Sequence, residues 1–369
     1  LYYSLFVLEP DGGVMITGSH NPPEYNGFKI CVGKDSIYGA RIQLIYELIA
    51  ARDFTRGKGE LQSEDVIARY CRHVSEQIRL PRKVRAAVDC GNGTACLIAP
   101  ALMKSIGCEL TELYCEMDGR FPNHHPDPTV EANLRDLQYA VRSSQAELGI
   151  AFDGDADRIG VVDDQGRIIW GDMLMLLFAR DILKERPGAT FISEVKCSMN
   201  LFRDIEQHGG RAIMWKTGHS LIKAKMKSEK ALLAGEMSGH MFFADRYFGY
   251  DDAIYAACRL VEVLANSPAS LSGLLSDVPP TVATPEIRVQ CDEEKKFKVV
   301  ESVKSHFRQR YSVIDVDGAR ILFPSGWGLV RASNTQDILV LRFEAETQAA
   351  LDAIRNQVEE QVRWAKTNA

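Results

Sequence analysis

Glu147-Leu148-Gly149-Ile150-Ala151-Phe152-Asp153-Gly154-Asp155-Ala156-Asp157-Arg158-Ile159-Gly160-Val161-Val162 sets a short apolar run on each side of an acidic loop. Runs of this length, bounded by turn residues, read as buried strands. They predict strands over 147–152 and 159–162, with the acidic loop at a sheet end, where α/β proteins bind ligands. Downstream, Asp164-Gln165-Gly166 predicts a turn. Gly171-Asp172 then opens an apolar helix to about Lys184, with Asp172 as its N-cap. Upstream, Val84–Asp89 predicts another buried strand, followed by Gly91-Asn92-Gly93-Thr94 and an apolar helix over Ala95–Ile106. This strand–helix rhythm argues for α/β domains.

Beyond Pro279-Pro280 the pattern changes. Strands are expected over Thr284–Gln290, Ser312–Val316, Ala319–Phe323, Gly328–Ala332 and Ile338–Glu344. Helices are expected over Lys295–Arg310 and Thr347–Trp364, an α+β arrangement. Composition shifts put boundaries near 66, 167 and 279, and no internal repeat or low-complexity segment is visible.

A chain of 369 residues is too long for one hydrophobic core and predicts two to four domains. A net charge of -6 argues against a nucleic-acid partner, though a few basic residues can converge on an anionic ligand. No apolar run approaches the ~20 residues of a membrane span. Leu1–Leu8 is apolar but carries no basic region or small-residue cleavage site, so it reads as a strand or helix of a folded core rather than a signal peptide. The nine cysteines are odd in number and show no Cys-x-x-Cys spacing. Scattered reduced thiols of a cytoplasmic protein fit that pattern better than a zinc site.

Asp153, Asp155 and Asp157 place carboxylates at every second position. Left alone they repel one another, so a cation or basic partners must compensate. Magnesium suits oxygen-only ligands and phosphate chemistry, and Arg158 would face a phosphate or pair with an Asp. A calcium EF-hand does not fit: Arg158 takes the place of the required Gly, Asp164 replaces the terminal Glu, and strands flank the loop. In Thr17-Gly18-Ser19-His20-Asn21-Pro22-Pro23, the strand over Val14–Thr17 delivers Ser19 to a loop tip. A serine so placed can accept a phosphoryl group, with His20 and Lys29 near enough in sequence to assist. Gly235-Glu236-Met237-Ser238-Gly239-His240 offers Glu236, Ser238 and His240 to sugar hydroxyls, and Lys216-Thr217-Gly218-His219 lies just upstream. Arg331-Ala332-Ser333-Asn334-Thr335 groups one guanidinium with hydroxyl and amide side chains, a good phosphate cradle. Taken singly, each segment also reads as an ordinary capped turn or polar loop.

The four segments, in this order in one chain, resemble the α-D-phosphohexomutase superfamily, with the nearest likeness to the bacterial phosphomannomutase/phosphoglucomutase group. The resemblance covers essentially the whole chain. It implies four domains around a central cleft, three related α/β domains and a C-terminal α+β domain, each giving one loop. The expected spans are 1–66, 67–167, 168–279 and 280–369. It implies Ser19 as the phosphoserine and a magnesium ligand together with Asp153, Asp155 and Asp157. It implies Glu236, Ser238 and His240 against sugar hydroxyls, and Arg331, Ser333, Asn334 and Thr335 around the non-reacting phosphate. Lys29, Arg158 and His219 match positions near the transferred group, and Lys196 another basic cleft position. Only eighteen residues precede Ser19, so the first domain is expected to be truncated at its N-terminus. Asp337 stands where the family loop often continues to Pro, which alters loop rigidity and adds a negative charge.

The activity so implied is reversible phosphoryl transfer between C1 and C6 of mannose or glucose phosphates, through phosphorylated Ser19 and a hexose 1,6-bisphosphate. Lys29 is the expected acid/base, its pKa lowered by a cationic cleft, with His219 second. Met237 points to mannose or glucose rather than glucosamine phosphate. Phosphoglucosamine mutase, a sugar-bisphosphate synthase, a non-catalytic sugar-phosphate binder and a magnesium-dependent phosphatase are the alternatives. Small hexose phosphates are the expected partners, with no nucleic acid and no membrane, for a cytoplasmic monomer or weak dimer.

Overall fold

A computed structural model describes residues 1–19, 21, 25–333 and 336–368 of the chain. Four sheets follow one another in sequence, and each carries one of the four segments at the tip of an antiparallel hairpin.

The first sheet pairs Gly12–Thr17 with Gly27–Val32 and then Asp35–Ser36. Its hairpin closes at the Thr17–Gly27 pair, so Ser19 sits in the tip. Leu1–Leu8 forms the helix Tyr2–Val7. One face of the sheet is open, with Val14, Ile16 and Phe28 each at least 60% exposed, and no residue of the helix Ala40–Ala51 is buried.

The second and third sheets share one topology. In space they run Cys108–Leu113, Val84–Asp89, Leu148–Phe152, Ile159–Asp163, and Arg211–Trp215, Thr190–Glu194, Leu233–Gly235, Met241–Phe243. In each, the first three strands are parallel and the fourth turns back antiparallel. The reversal puts Asp153–Arg158 at one tip and Glu236–His240 at the other. The strand Ile168–Ile169 adds an edge to the second sheet. The second and third units are thus related in topology, as the resemblance implied, although no repeat is visible in the sequence. The relation is held by backbone pairing that needs no shared side chains.

The fourth sheet is antiparallel throughout, with the helices Glu293–Phe307 and Gln348–Asn368 packed on it, as an α+β unit requires. Gly326–Ala332 and Ile338–Ala345 form its long hairpin, whose tip begins at Ser333. The fold is thus α/β with an α+β C-terminal unit. Among the described residues, no helix is long and apolar enough to cross a membrane.

Two local expectations fail for identifiable reasons. Ala95–Ile106 is not one helix: a 3₁₀ turn over Thr94–Leu97 breaks before the helix Ala99–Ile106, which carries Pro100 in its first turn. Asp172 does not cap its helix, which begins one residue earlier, over Gly171–Glu185, with Trp170 at the cap position. The Asp172 carboxylate instead accepts the Ser198 N–H at 2.8 Å.

The helix Ala253–Ala265, every residue of it buried, packs on strands of both the second and third sheets. One continuous apolar core therefore spans these two units and holds their tips at a fixed spacing. The tips then join backbone to backbone: Ile159 N–H donates to Gly239 O at 3.1 Å, and Arg158 bridges His240. The fourth unit has its own core and is tied on by Arg320. That guanidinium stacks 3.7 Å over the Trp327 ring and donates to the Val195 and Cys197 carbonyls.

Gly239 has φ +93°, and an added Cβ would lie 2.3 Å from Ile159 O. Gly188 has φ +78° with open space around it. Gly188→Ala should cost only the left-handed backbone term, about 1 kcal/mol. Gly239→Ala should cost about 2–4 kcal/mol, because the clash adds to it. Urea denaturation of the two variants checks the difference.

Candidate active site

The acidic tip folds around its own first carboxylate. Asp153 Oδ1 accepts the Asp157 and Arg158 N–H groups at 3.0 and 3.1 Å, which turns the loop and leaves Oδ2 free to face the first unit. Ser19 Oγ donates to that oxygen at 2.7 Å across 134 residues of sequence. Gly154 allows the approach, since a Cβ there would stand 2.1 Å from Ser19 O. Thr17 positions the serine: its Oγ1 accepts the Ser19 N–H at 2.9 Å and donates to Asp155 Oδ2 at 2.9 Å.

Asp153, Asp155 and Asp157 each present an oxygen within 4.8 Å of the others. Burial, and then the charges of Asp157 and Asp155, push the Asp153 carboxyl above its usual range. Asp155 Oδ1 is buried with no hydrogen-bond partner among the described residues. Oxygen-only donors, mutual repulsion and an orphaned carboxylate oxygen fit a divalent cation.

Lys29, on the strand Gly27–Val32, reaches Asp155 Oδ2 at 2.8 Å and also pairs with Asp157. Burial alone would lower its pKa, but the two carboxylates outweigh burial and raise it. The expected lowered lysine pKa is therefore wrong. The surroundings of this ammonium are anionic, not cationic.

The third tip closes on itself and on the second. Glu236 accepts the Gly218 N–H at 2.8 Å through Oε1, and its Oε2 lies 2.7 Å from His240 Nδ1. Ser238 Oγ lies 3.1 Å from the same nitrogen. His240 Nε2 meets Asp157 Oδ1 at 3.1 Å. Burial would lower the His240 pKa, but Asp157 and Glu236 raise it to about 10. Arg158 Nε donates toward His240 Nε2 at 3.4 Å.

Behind this tip, fully buried Glu194 accepts from Met237 N–H at 2.9 Å and from Thr217 Oγ1. Lys196 sits 2.6 Å from Glu286 and 3.4 Å from Glu194. These partners raise its pKa against burial. Arg331 donates to Asp317 Oδ2 at 3.0 Å, and the same oxygen takes the Thr217 N–H at 3.1 Å. Ser333 Oγ accepts from Gln336 N–H at 3.2 Å. His219 opens the helix His219–Glu229, its ring 6.1 Å from that of His240. His20, Asn334 and Thr335 lie outside the described residues.

A polar path therefore joins all four tips, from Ser19 through Asp153 and Asp157 to His240 and Glu236, then by Gly218 and Thr217 to Asp317 and Arg331. Thr17, Glu194 and Asp317 are members that the sequence did not flag. Thr17 lies inside a segment already singled out, Glu194 stands two residues before Lys196, and Asp317-Gly318 has the form of a turn dipeptide.

A serine hydroxyl on a cation-ready acidic triad, linked by a polar path to a guanidinium among hydroxyl and amide side chains, defines an enzyme of phosphoryl transfer. The chain matches the four Phosphoglucomutase/phosphomannomutase domain families: alpha/beta/alpha domain I over 1–56, domain II over 68–166, domain III over 170–282 and the C-terminal domain over 286–361. It is 49% identical to a Phosphomannomutase/phosphoglucomutase of Pseudomonas syringae pv. tomato, over 96% of this chain and 77% of the relative. It is 46% identical to a Phosphoglucomutase of Neisseria meningitidis, over 97% of this chain and 78% of the relative. A crystal structure of a phosphoglucomutase/phosphomannomutase family protein from Burkholderia thailandensis superposes with a TM-score of 0.92. It is 44% identical, over 97% of this chain and 77% of that one. The chain belongs to the phosphoglucomutase/phosphomannomutase family, within the α-D-phosphohexomutase superfamily.

Ala156 is held at φ +61° inside the acidic loop. The left-handed strain of an alanine, about 1–2 kcal/mol, exceeds the extra chain entropy of a glycine, about 0.5–1 kcal/mol. Ala156→Gly should therefore stabilise the fold by up to about 1 kcal/mol in thermal or urea denaturation.

Proposed function

We propose that the chain moves a phosphoryl group reversibly between C1 and C6 of hexose phosphates, of mannose, glucose or both, through phosphorylated Ser19 and a hexose 1,6-bisphosphate. The observation that carries this is the 2.7 Å contact between Ser19 Oγ and Asp153 within the acidic triad. In the forward step the bond from Ser19 Oγ to phosphorus breaks and a bond from the sugar hydroxyl oxygen to phosphorus forms. The hydroxyl proton passes to a base, and Ser19 is left as the nucleophile for the return. The bisphosphate turns over in the cleft, and its other phosphate goes back to Ser19.

Asp153, Asp155 and Asp157, with the serine phosphate, would hold magnesium, which when bound supplies charge neutralisation to the group in flight. Arg158 adds positive potential. Lys29 stands beside the triad, paired with Asp155 and Asp157, and adds positive charge next to the group in flight. Burial lowers the His219 pKa, which favours a neutral ring. Arg331, Ser333, Asn334 and Thr335 take the non-reacting phosphate, and Lys196 adds charge to the cleft. Glu236, Ser238 and His240 grip hydroxyls in either pose of the sugar.

The relatives at 46–49% identity carry the names phosphomannomutase/phosphoglucomutase or phosphoglucomutase, which supports mannose or glucose over glucosamine phosphate. Nine free cysteines, six of them buried, support a cytoplasmic setting. The polar path from Ser19 to Arg331 needs no second subunit, which supports a monomer or weak dimer.

Incubation with glucose 1,6-bisphosphate should add the mass of one phosphate to the chain and none to Ser19→Ala. That variant should lose turnover of glucose 1-phosphate while calorimetry still detects monophosphate binding. Equal loss of both, or release of inorganic phosphate in place of isomerised sugar, would count against the assignment. Arg331→Ala should weaken monophosphate binding by about 1.5–3 kcal/mol, the worth of a charge-assisted contact.

A further inference from the structure

We propose that Cys90 and Cys115 are a thiol pair that hydrogen peroxide converts to a disulfide, and that this bond displaces the support of the acidic loop and slows turnover. The bond stands on the geometry of the pair; its effect on turnover rests on the phosphohexomutase reading above.

Cys90 follows the strand Val84–Asp89, and Cys115 lies just past the strand Cys108–Leu113, its parallel neighbour. The ladder continues beyond the strand ends. Cys90 N–H donates to Leu113 O at 3.1 Å, and Asn92 N–H to Tyr114 O at 2.9 Å. Tyr114 turns through a left-handed φ of +52°, which redirects the chain before Cys115. Asn92 Nδ2 ties the far side by donating to Glu116 O at 2.7 Å. Between these bonds the two sulfurs lie 3.4 Å apart, across 25 residues of sequence. A disulfide needs about 2.05 Å between sulfurs, so closure asks for roughly 1.4 Å and no unfolding.

Cys90 is fully buried, and Cys115 is partly exposed. Contacts with the Cys115 and Cys96 thiols, and then burial, push the Cys90 thiol up. The exposed partner therefore meets the oxidant, and the buried thiol behind it resolves the product. In the first step the Cys115 thiol gives up its proton and its sulfur attacks one peroxide oxygen. The O–O bond breaks, and the departing hydroxide takes up a proton to become water. Cys115 is left as a sulfenic acid. The Cys90 sulfur then attacks the Cys115 sulfur, the S–O bond breaks, and the hydroxyl leaves as water with the Cys90 proton. Two thiols and one peroxide become a disulfide and two waters, and the electrons lost by sulfur are those the peroxide gains. Cys96 is the rival partner. It is partly exposed, and a hydrogen bond from Cys90 lowers its pKa. It lies past the glycine loop, in the turn Thr94–Leu97. The backbone bonds that bracket Cys90 and Cys115 favour Cys115.

The loop after Cys90 is what the acidic tip rests on. Thr94 donates to Gly154 O from its N–H at 3.0 Å and from Oγ1 at 3.2 Å. Gly93 packs so closely that an added Cβ would stand 2.9 Å from the same oxygen. Gly93 N–H is bonded in turn to Cys90 O at 2.8 Å, and Gly154 separates Asp153 from Asp155. The strand before Cys90 is buried at every residue but Arg85 and is held by the core. Movement of the Cys90 sulfur toward Cys115 therefore falls on the glycine loop and passes to the acids.

The full chain, reduced and then treated with hydrogen peroxide, is alkylated, digested and weighed by mass spectrometry. Peptides carrying Cys90 and Cys115 should appear joined, short of two hydrogens, and separate again with dithiothreitol. The kcat for glucose 1-phosphate should fall about 10- to 100-fold, the scale set by a displacement of ~1 Å in a positioning element, and should return with dithiothreitol. Cys115→Ser should match the reduced chain in turnover, form no such link and hold its turnover through peroxide. Cys96→Ser should still form the link and lose turnover. No joined peptide, a link from Cys90 to Cys96 in its place, or a link that leaves kcat unchanged would overturn the proposal. If the reduced chain showed no turnover, the mutase reading would fall, while the joined peptide would still decide whether Cys90 and Cys115 pair.

Discussion

Asp157 is the junction on which the cleft depends. One oxygen of its carboxylate pairs with Lys29 of the first sheet and the other with His240 of the third, while its own backbone belongs to the second. Burial works against its ionised form, yet His240 and Lys29 hold its pKa well below the usual carboxylate range. A buried charge stripped of its partners is expensive, and these partners come from different sheets. The three tips are therefore tied to one position by charge as well as by packing. The helix Ala253–Ala265 sets the spacing of the second and third sheets, and Asp157 fixes what meets there.

Hairpin geometry makes such a meeting reproducible. In an antiparallel pair a slip of one residue would turn every side chain to the opposite face. The strand Ile159–Asp163 is buried along its length, so its register is specified by the core. The tip it closes inherits that precision: Asp153 and Asp157 reach their partners because Phe152 pairs with Ile159. The same holds for Glu236 and His240 on either side of a tip closed by the Gly235–Met241 pair. Loops that a rigid sheet positions can carry exposed chemistry without losing their place.

This is also why the acidic loop was legible in sequence. Period-two acids between two apolar runs describe a sheet-end tip with little else needed, and the strand over Val84–Asp89 and the α+β character of the C-terminal part followed from the same periodicities. What could not be read were partners brought from a distance. The amide of Thr217 meets Asp317 across a hundred residues, and Lys29 meets Asp155 across 126. Without the second of these, a lysine near a phosphate site reads as a base with a lowered pKa; with it, neighbouring carboxylates raise that pKa instead. Asp172 shows the same effect at short range. It has the residue type of a cap, but the amide of Ser198 claims its carboxylate. The repeated topology of the second and third sheets was expected only through the family resemblance, because strand order and direction leave no mark on residue identity.

The cleft satisfies itself while it waits. Glu236 is bonded to His240, and Arg331 to Asp317. A sugar phosphate must compete with these internal contacts, which limits the net gain from each new one. In the cycle proposed above, where the bisphosphate lets go, turns and binds again, that limit is useful. A group with no internal partner would hold one pose too firmly, whereas a guanidinium that can return to Asp317 loses less when the phosphate leaves. Tight binding of either pose would deepen the well from which the reorientation starts without lowering the chemical barrier. In that proposed cycle, the carboxylates paired with His240 and Arg331 would serve turnover by keeping both grips moderate.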